Sequence, residues 1–339
     1  MKEIQIHATN VNGLGAINVA NAIISALDLC EDISIKNIYS SKDIIRDPKF
    51  RKLSIYNRFL PNKISRLIEV IFSRLFFENT PTLVLGDIPL RGIKNQVLYV
   101  HQANLIRPKI NSFSSKSLKF KILRFLFSYN LKYVKSIIVQ TEYMKDNLIQ
   151  SYKNLNCSIM VLPLPPINIK QDSWENKITN TIKLIYPASF YPHKNHDFLF
   201  EIENLKGNFE LWVTLDSKDF ERYKHLKFLK NLGILTHNEI IEKYKEANAL
   251  VNFSNLESFC LPLVEAIYLN LPILTLKRDY SSWMCESSAY YFEDAESFQK
   301  SLTQIQEDIN NNTINSFDQP KKKFKFSWDE VGRKIVSCF

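Results

Sequence analysis

The feature that most restricts this chain is a rhythm that runs twice. Short apolar runs alternate with segments whose apolar residues recur at helical spacing. In the first half the runs at 3–8, 33–38, 82–86, 96–100, 136–140 and 158–162 read as strands. Helical patterns lie between them at 17–29, 63–77, 116–135 and 142–152. Such alternation means βαβ units and a parallel sheet. The rhythm then stops at 163–181, a polar stretch with Pro163, Pro165 and Pro166, which reads as a linker. A second series follows, with strands at 183–187, 209–214, 249–253 and 272–276. Its helices start near Asn195 and at 237–247, 260–269 and 295–309, and a last helix spans 327–337. The predicted division is a first domain at 1–165, a linker at 166–182, a second domain at 183–318 and a closing segment at 319–339. A length of 339 residues suits two domains. Two successive doubly wound α/β units leave a cleft between them, and ligands in such sheets bind beyond the carboxyl ends of the strands.

Composition narrows the function. Hydrophobic residues make up 45% and charged residues 23%, which excludes a mostly disordered chain. The apolar run 67–77 is cut by Glu69 and Arg74 and falls short of the roughly 18 apolar residues that a membrane span needs. The opening residues "MKEIQIHATN" lack an apolar h-region, so no secretory leader is expected. The expected location is cytoplasmic. Cys30, Cys157, Cys260, Cys285 and Cys338 are scattered, without a CxxC pair or a Cys/His cluster, so neither a disulfide framework nor a zinc site is expected. His7, His193, His196, His225 and His237 show no metal-ligand spacing.

Charge is uneven. Residues 1–166 hold 23 Lys and Arg against 11 Asp and Glu, while 167–339 hold 21 against 24. Residues 51–135 alone hold 16 against 3. A basic half seeks phosphate groups, of nucleic acid or of a membrane surface. The stretches 63–77 and 116–135 interleave Lys and Arg with Phe, Leu and Ile at helical spacing, as membrane-interface helices do. A core-facing helix with a solvated basic face has the same pattern. The concentration of charge on one half favours an anionic leaflet, and no nucleic-acid motif is present.

The strongest local signal is 255–274, "NLESFCLPLVEAIYLNLPIL". Glu257 and Glu265 stand eight apart where the chain leaves strand 249–253 and enters a helix near Phe259. Pro262 suits a first helical turn. Unpaired amides of that turn suit phosphate oxygens, and a carboxylate accepting two hydrogen bonds suits vicinal sugar hydroxyls. The spacing alone is equally that of two solvated glutamates; the surrounding pattern tips the balance.

That segment resembles the E-x7-E signature of the retaining glycosyltransferases of family 4, with the two-domain GT-B fold. Other segments follow in the family's order. Residues 184–202 resemble the strand–loop–helix carrying the diphosphate lysine. Residues 232–254 resemble the base-side loop, and 278–293 the sugar-side loop and strand. Residues 136–152 resemble the last strand and helix of the acceptor domain, 7–23 its Gly-rich first loop, and 326–332 the closing helix that packs back on the first domain. The fold implied is GT-B: two Rossmann-like domains facing each other across a cleft.

The resemblance also implies roles. Glu265 would bind the donor ribose, and Glu257 the transferred sugar. Phe259 and Cys260 would offer backbone amides, and Lys194 would neutralise the diphosphate leaving group. Gly13 and Gly15 would let the backbone approach the reacting centre, and His101 would face the donor sugar. Three positions depart from the pattern. Ser189 stands at the donor site where many relatives carry Arg, five residues before Lys194; Arg278 is a possible replacement. Cys260 stands where the signature has Gly, and Asn12 precedes Gly13-Leu14-Gly15.

The implied activity is sugar transfer from a nucleotide-sugar donor to a saccharide acceptor, lipid-linked, with retention of configuration. The implied setting is bacterial surface polysaccharide assembly. No cofactor and no metal are called for, and the 216–219 run has no DxD spacing. The basic half is expected to dock peripherally at the inner face of the cytoplasmic membrane, to anionic lipid, and not to bind nucleic acid. Two other readings stay open: a catalytically silent GT-B-like binding protein, and a basic nucleic-acid-binding protein.

Overall fold

The structure is a computed structural model that describes residues 2–11, 13–40, 55–57, 63–107, 115–153, 155–167, 169 and 174–339. Asn12 lies outside them, as do five positions of the 166–182 stretch. The chain forms two compact units, Met1–Ile167 with Phe326–Phe339, and Asn168–Lys325.

Unit 1 holds β1 (Lys2–Ala8), β2 (Ile33–Ser40), β3 (Ile55–Asn57), β4 (Thr82–Val84), β5 (Gln96–Tyr99), β6 (Val134–Val139) and β7 (Ser158–Val161). They form one seven-stranded sheet in the order β3-β2-β1-β4-β5-β6-β7, parallel throughout. The run Ile4–Ala8 is buried at every position, as a parallel strand covered on both faces must be. The side-chain nitrogen of buried Gln5 donates to the Glu78 carbonyl at 2.7 Å and to Thr82 Oγ1 at 2.9 Å.

The closing helix Trp328–Ser337 opens on a reciprocal cap between Ser327 and Glu330. It lies on helix Leu14–Asp28. A Cβ at Gly332 would stand 2.7 Å from the Ala26 carbonyl oxygen, so only glycine permits this approach. Ser136 Oγ also donates to the Cys338 carbonyl at 3.0 Å, which ties the end of the chain to β6.

Unit 2 holds β8 (Ile182–Tyr186), β9 (Phe209–Val213), β10 (Leu229–Asn231), β11 (Ala249–Asn252), β12 (Ile273–Leu276) and β13 (Tyr290–Phe292). The order is β10-β9-β8-β11-β12-β13, again all parallel. Its core is aromatic: the rings of Phe198, Phe253, Phe292 and Phe298 pack at centroid distances of 5.0 to 6.1 Å. Trp174, just past the proline-rich stretch, is anchored here by its Nε1, which donates to the Ala247 carbonyl at 2.7 Å.

Both sheets carry the doubly wound strand order. In each, the chain winds outward one way from its first strand, then reverses. The reversal falls between β1 and β4 in unit 1 and between β8 and β11 in unit 2. The loops leaving these strands diverge there and open a crevice at the carboxyl edge.

Several elements differ from the sequence expectation. The first helix starts at Leu14 rather than at 17, because Gly13 takes φ 87° and turns the chain directly into it. The helix expected over 63–77 is two, Lys63–Ile71 and Ser73–Phe76. Ser73 Oγ donates to the carbonyls of Glu69 and Val70, both at 2.8 Å, and such back-bonding bends helices. The helix expected from Asn195 is reduced to a 3-10 turn, Pro192–Lys194, and one helical turn, Phe198–Glu201, with Asn195 at φ 56° between them.

Candidate active site

The crevice of unit 2 gathers the charged residues that the sequence singles out. The loop leaving β8 carries Lys194 and the loop leaving β11 carries Glu257. Their side chains meet in an ion pair, Nζ to Oε1, at 2.7 Å, with 18% and 11% exposure. Backbone bonds hold the two loops together: the Asn255 amide donates to the His193 carbonyl at 2.8 Å. Below them Tyr186, at the end of β8, donates to the Lys194 carbonyl and lies 3.3 Å from Ser254 Oγ. Burial pulls the Lys194 ammonium toward neutrality. The Glu257 carboxylate outweighs it and holds the pKa above its usual value, so Lys194 is charged at neutral pH.

Glu257 is followed by the helix Leu261–Leu269, with Pro262 in its first turn and Cys260 at its N-cap. The Cys260 side chain caps nothing, so the first-turn amides receive no help from it. Phe259 is buried with its ring against Phe324, centroids 5.9 Å apart. Burial, then Glu257, pushes the Cys260 thiol up to about 12, with Lys194 opposing and Glu265 adding. The charges of Lys194, Glu257 and Glu265 are all felt at Cys260. This thiol is a neutral packing group rather than a nucleophile.

Glu265 lies on the same helix and is 3% exposed. Its Oε1 is 2.8 Å from His237 Nε2, and its Oε2 accepts from Tyr244 Oη at 2.8 Å. His237 and Tyr244 stand seven apart on helix His237–Glu246, two turns along one face. The hydrogen bond to Glu265 raises the His237 pKa above the usual imidazole range, against the opposing effect of burial. Each carboxylate oxygen keeps a free lone pair, so Glu265 is positioned and still able to accept from a ligand. Sequence reasoning assigned no role to His237 or Tyr244; their seven-residue spacing on a short helix was the available signal. Ser189, expected at the donor site, is exposed just beyond β8.

Unit 1 places its candidates at the equivalent edge. Gly13 and Gly15 follow β1, and Gly13 alone needs its glycine, at φ 87°. His101 follows β5. Asp87, in the loop after β4, accepts from the backbone amides of His101 at 2.7 Å and Gln102 at 2.9 Å. Its Oδ2 lies 3.4 Å from His101 Nε2. Burial raises the Asp87 carboxyl pKa, with His101 and the two amides opposing. Asp87 sits at φ 66°, a strained conformation for a non-glycine residue, and it orients His101. No local sequence pattern points to Asp87. Among the described residues, no cluster of three His, Cys, Asp or Glu side chains is arranged to hold a metal ion.

Comparison of the whole chain with solved structures identifies this architecture. Sucrose-phosphate synthase of Thermosynechococcus elongatus aligns over 99% of this chain and 98% of its own, with a TM-score of 0.70 at 13% identity. Anabaena HepE in complex with UDP-glucose aligns over 99% of both chains, with a TM-score of 0.68 at 13% identity. The chain has the GT-B glycosyltransferase fold. Among curated proteins, the O-antigen chain mannosyltransferase RfbU of Salmonella typhimurium is 26% identical over 236 residues, 65% of this chain. The match spans 63% of that relative's length. No family model matches the chain. Within the GT-B frame, Lys194, Glu257 and Glu265 occupy the crevice of the second Rossmann-like unit.

The His237–Glu265 pair has a pH signature. Because its pKa is raised in the folded protein, its stabilising contribution is fully present below about 6.5 and is lost as pH rises through the folded value. Glu265→Gln keeps the shape and removes the charge. His237 should then titrate at lower pH, read from its ring proton resonances, and the stability gap to wild type should shrink as pH rises. A His237 titration unchanged by this substitution contradicts the assignment.

Proposed function

We propose that the protein is a glycosyltransferase that moves a sugar from a nucleotide-sugar donor to a saccharide acceptor in bacterial surface polysaccharide assembly. The observation that carries this reading is the grouping of Lys194, Glu257 and Glu265 around one helix entrance at the switch point of unit 2. In the transfer, the bond between the anomeric carbon and the diphosphate breaks, a bond to the acceptor hydroxyl oxygen forms, and the hydroxyl proton leaves with the departing diphosphate. Negative charge grows on the departing diphosphate, and Lys194 meets it as a point charge. Glu257, released from Lys194, accepts hydroxyls of the transferred sugar. Glu265, held by His237 and Tyr244, accepts ribose hydroxyls. The reaction retains anomeric configuration in this reading, and it calls for no metal or cofactor. The likeness to RfbU, an O-antigen chain mannosyltransferase, and to HepE, solved in complex with UDP-glucose, supports the choice.

The acceptor in this reading is lipid-linked, and unit 1 supplies the docking face. Helix Ser115–Asn130 exposes Leu118, Ile122, Phe125 and Tyr129, at 61%, 46%, 67% and 44%. These positions are four, three and four apart and share one face. Lys119, Lys121, Arg124 and Lys132 accompany them. A basic helix with an exposed apolar stripe fits a membrane interface, and each cation adds about 1 kcal/mol near anionic lipid. Among the described residues, no helix is long and apolar enough to cross a membrane. The protein should therefore sediment with anionic vesicles in preference to neutral ones. Equal sedimentation with both removes the docking proposal and leaves the transfer reaction standing.

The reaction itself is tested by turnover on a panel of UDP-, GDP- and dTDP-sugars, read as release of the nucleoside diphosphate. With the donor that wild type consumes, Lys194→Ala should lower kcat about 10²- to 10³-fold, the usual cost of removing one transition-state charge partner. A wild-type rate in that variant would overturn the site assignment.

A further inference from the structure

The crevice of unit 2 has a charge deficit. Lys194 is already neutralised by Glu257 at 2.7 Å. Glu265 adds a negative charge nearby, and exposed Ser189 adds none. A nucleoside diphosphate brings further negative charge to the same place. The neighbouring strand supplies the missing cation. Arg278 leaves the carboxyl end of β12, the strand beside β11. Its backbone is fixed, since its amide donates to Ser281 Oγ at 3.0 Å, and Ser281 Oγ donates to the Leu276 carbonyl at 2.8 Å.

From that anchor the guanidinium reaches across to the loop that carries Glu257. Nη2 donates to Asn255 Oδ1 at 2.9 Å, and Nη1 to the Lys277 carbonyl at 2.8 Å. The Asn255 amide in turn holds the His193 carbonyl, next to Lys194. Tyr280 locks the two loops together, donating to the Ser254 carbonyl at 2.7 Å and accepting from Asn252 Nδ2 at 2.8 Å. Both hydrogen-bond partners of Arg278 are neutral. Among the described residues, no carboxylate lies within ion-pair distance of it, whereas adjacent Lys277 pairs with Glu293 at 3.5 Å. Two of its five N–H donors are used within the protein, which leaves three open to a ligand.

We propose that Arg278 is the second cation of the donor diphosphate site, supplied from the loop after β12 to make good the neutral Ser189 after β8. This assignment rests on the glycosyl-transfer reading above. A guanidinium suits the task, because its planar fork binds two phosphate oxygens at once. Its position on a separate loop means that the diphosphate is gripped from both sides of β11.

The test compares Arg278→Gln and Arg278→Lys with wild type by calorimetry. Gln keeps a hydrogen bond to Asn255 and loses the charge; Lys keeps the charge and loses the fork. The probes are UDP, GDP and dTDP, and the nucleoside matching whichever diphosphate wild type binds. Arg278→Gln should weaken the diphosphate roughly 10- to 100-fold and leave the nucleoside unchanged. It should also flatten the salt dependence of diphosphate binding, and Arg278→Lys should recover part of the loss. Equal weakening of diphosphate and nucleoside would show a loop clamp only, and no weakening of either would show no role; both overturn the proposal. If wild type binds none of the diphosphates, the underlying transfer reading falls, and the assignment falls with it.

Discussion

A half-buried lysine facing a half-buried glutamate is the constraint on which the rest of unit 2 depends. Removing two charges from water is expensive, and their mutual attraction repays it only with good geometry. Here the geometry is supplied from outside the pair. The loops that bear Lys194 and Glu257 are joined by the Asn255–His193 bond and braced from beneath by Tyr186 and Tyr280. An arrangement this costly makes sense where the pair has a second state. In the proposed transfer an anionic diphosphate would compete with Glu257 for the ammonium, and the displaced carboxylate would turn to sugar hydroxyls.

The backbone topology explains why these groups meet. In both sheets the strand order reverses at one point, and the loops leaving the two strands there are forced apart at the carboxyl edge. Lys194 and Glu257 ride on those loops in unit 2. In unit 1 the same position carries Gly13 after β1 and Asp87 after β4, with His101 just past the next strand. Positioning residues are a common device of the two units. Asp87 fixes His101 by accepting two backbone amides, and His237 with Tyr244 fixes Glu265 by occupying one lone pair on each oxygen.

Much of this was legible in the sequence, for physical reasons. β11 is buried along its length and reads as the apolar run Ala249-Leu250-Val251, β8 is apolar but for exposed Lys183, and β1 shows Ile4, Ile6 and Ala8 alternating with polar but equally buried Gln5 and His7. The glutamate pair was legible because Pro262 marked a helix start between a strand and a second carboxylate. What escaped was short or long-range. β3 and β10 are three residues each and lie at sheet edges, too short to display a period. The break at Phe72 depends on one hydroxyl of Ser73 returning to its own helix, in a segment with unbroken helical periodicity. Asp87 acts on a residue fourteen positions away through its backbone, and no local pattern announces that. His237 and Tyr244 were visible as residues but acquired meaning only when their helix was placed against Glu265.

The exchange of partners at Lys194 is the claim to test first. The most direct measurement is the calorimetric affinity of Glu257→Gln for the nucleoside diphosphate that wild type binds. Without the competing carboxylate, Lys194 is open to the ligand and a like charge is gone. The account predicts binding at least as tight as wild type, together with lost turnover of the sugar nucleotide. A marked loss of diphosphate affinity in Glu257→Gln would contradict it.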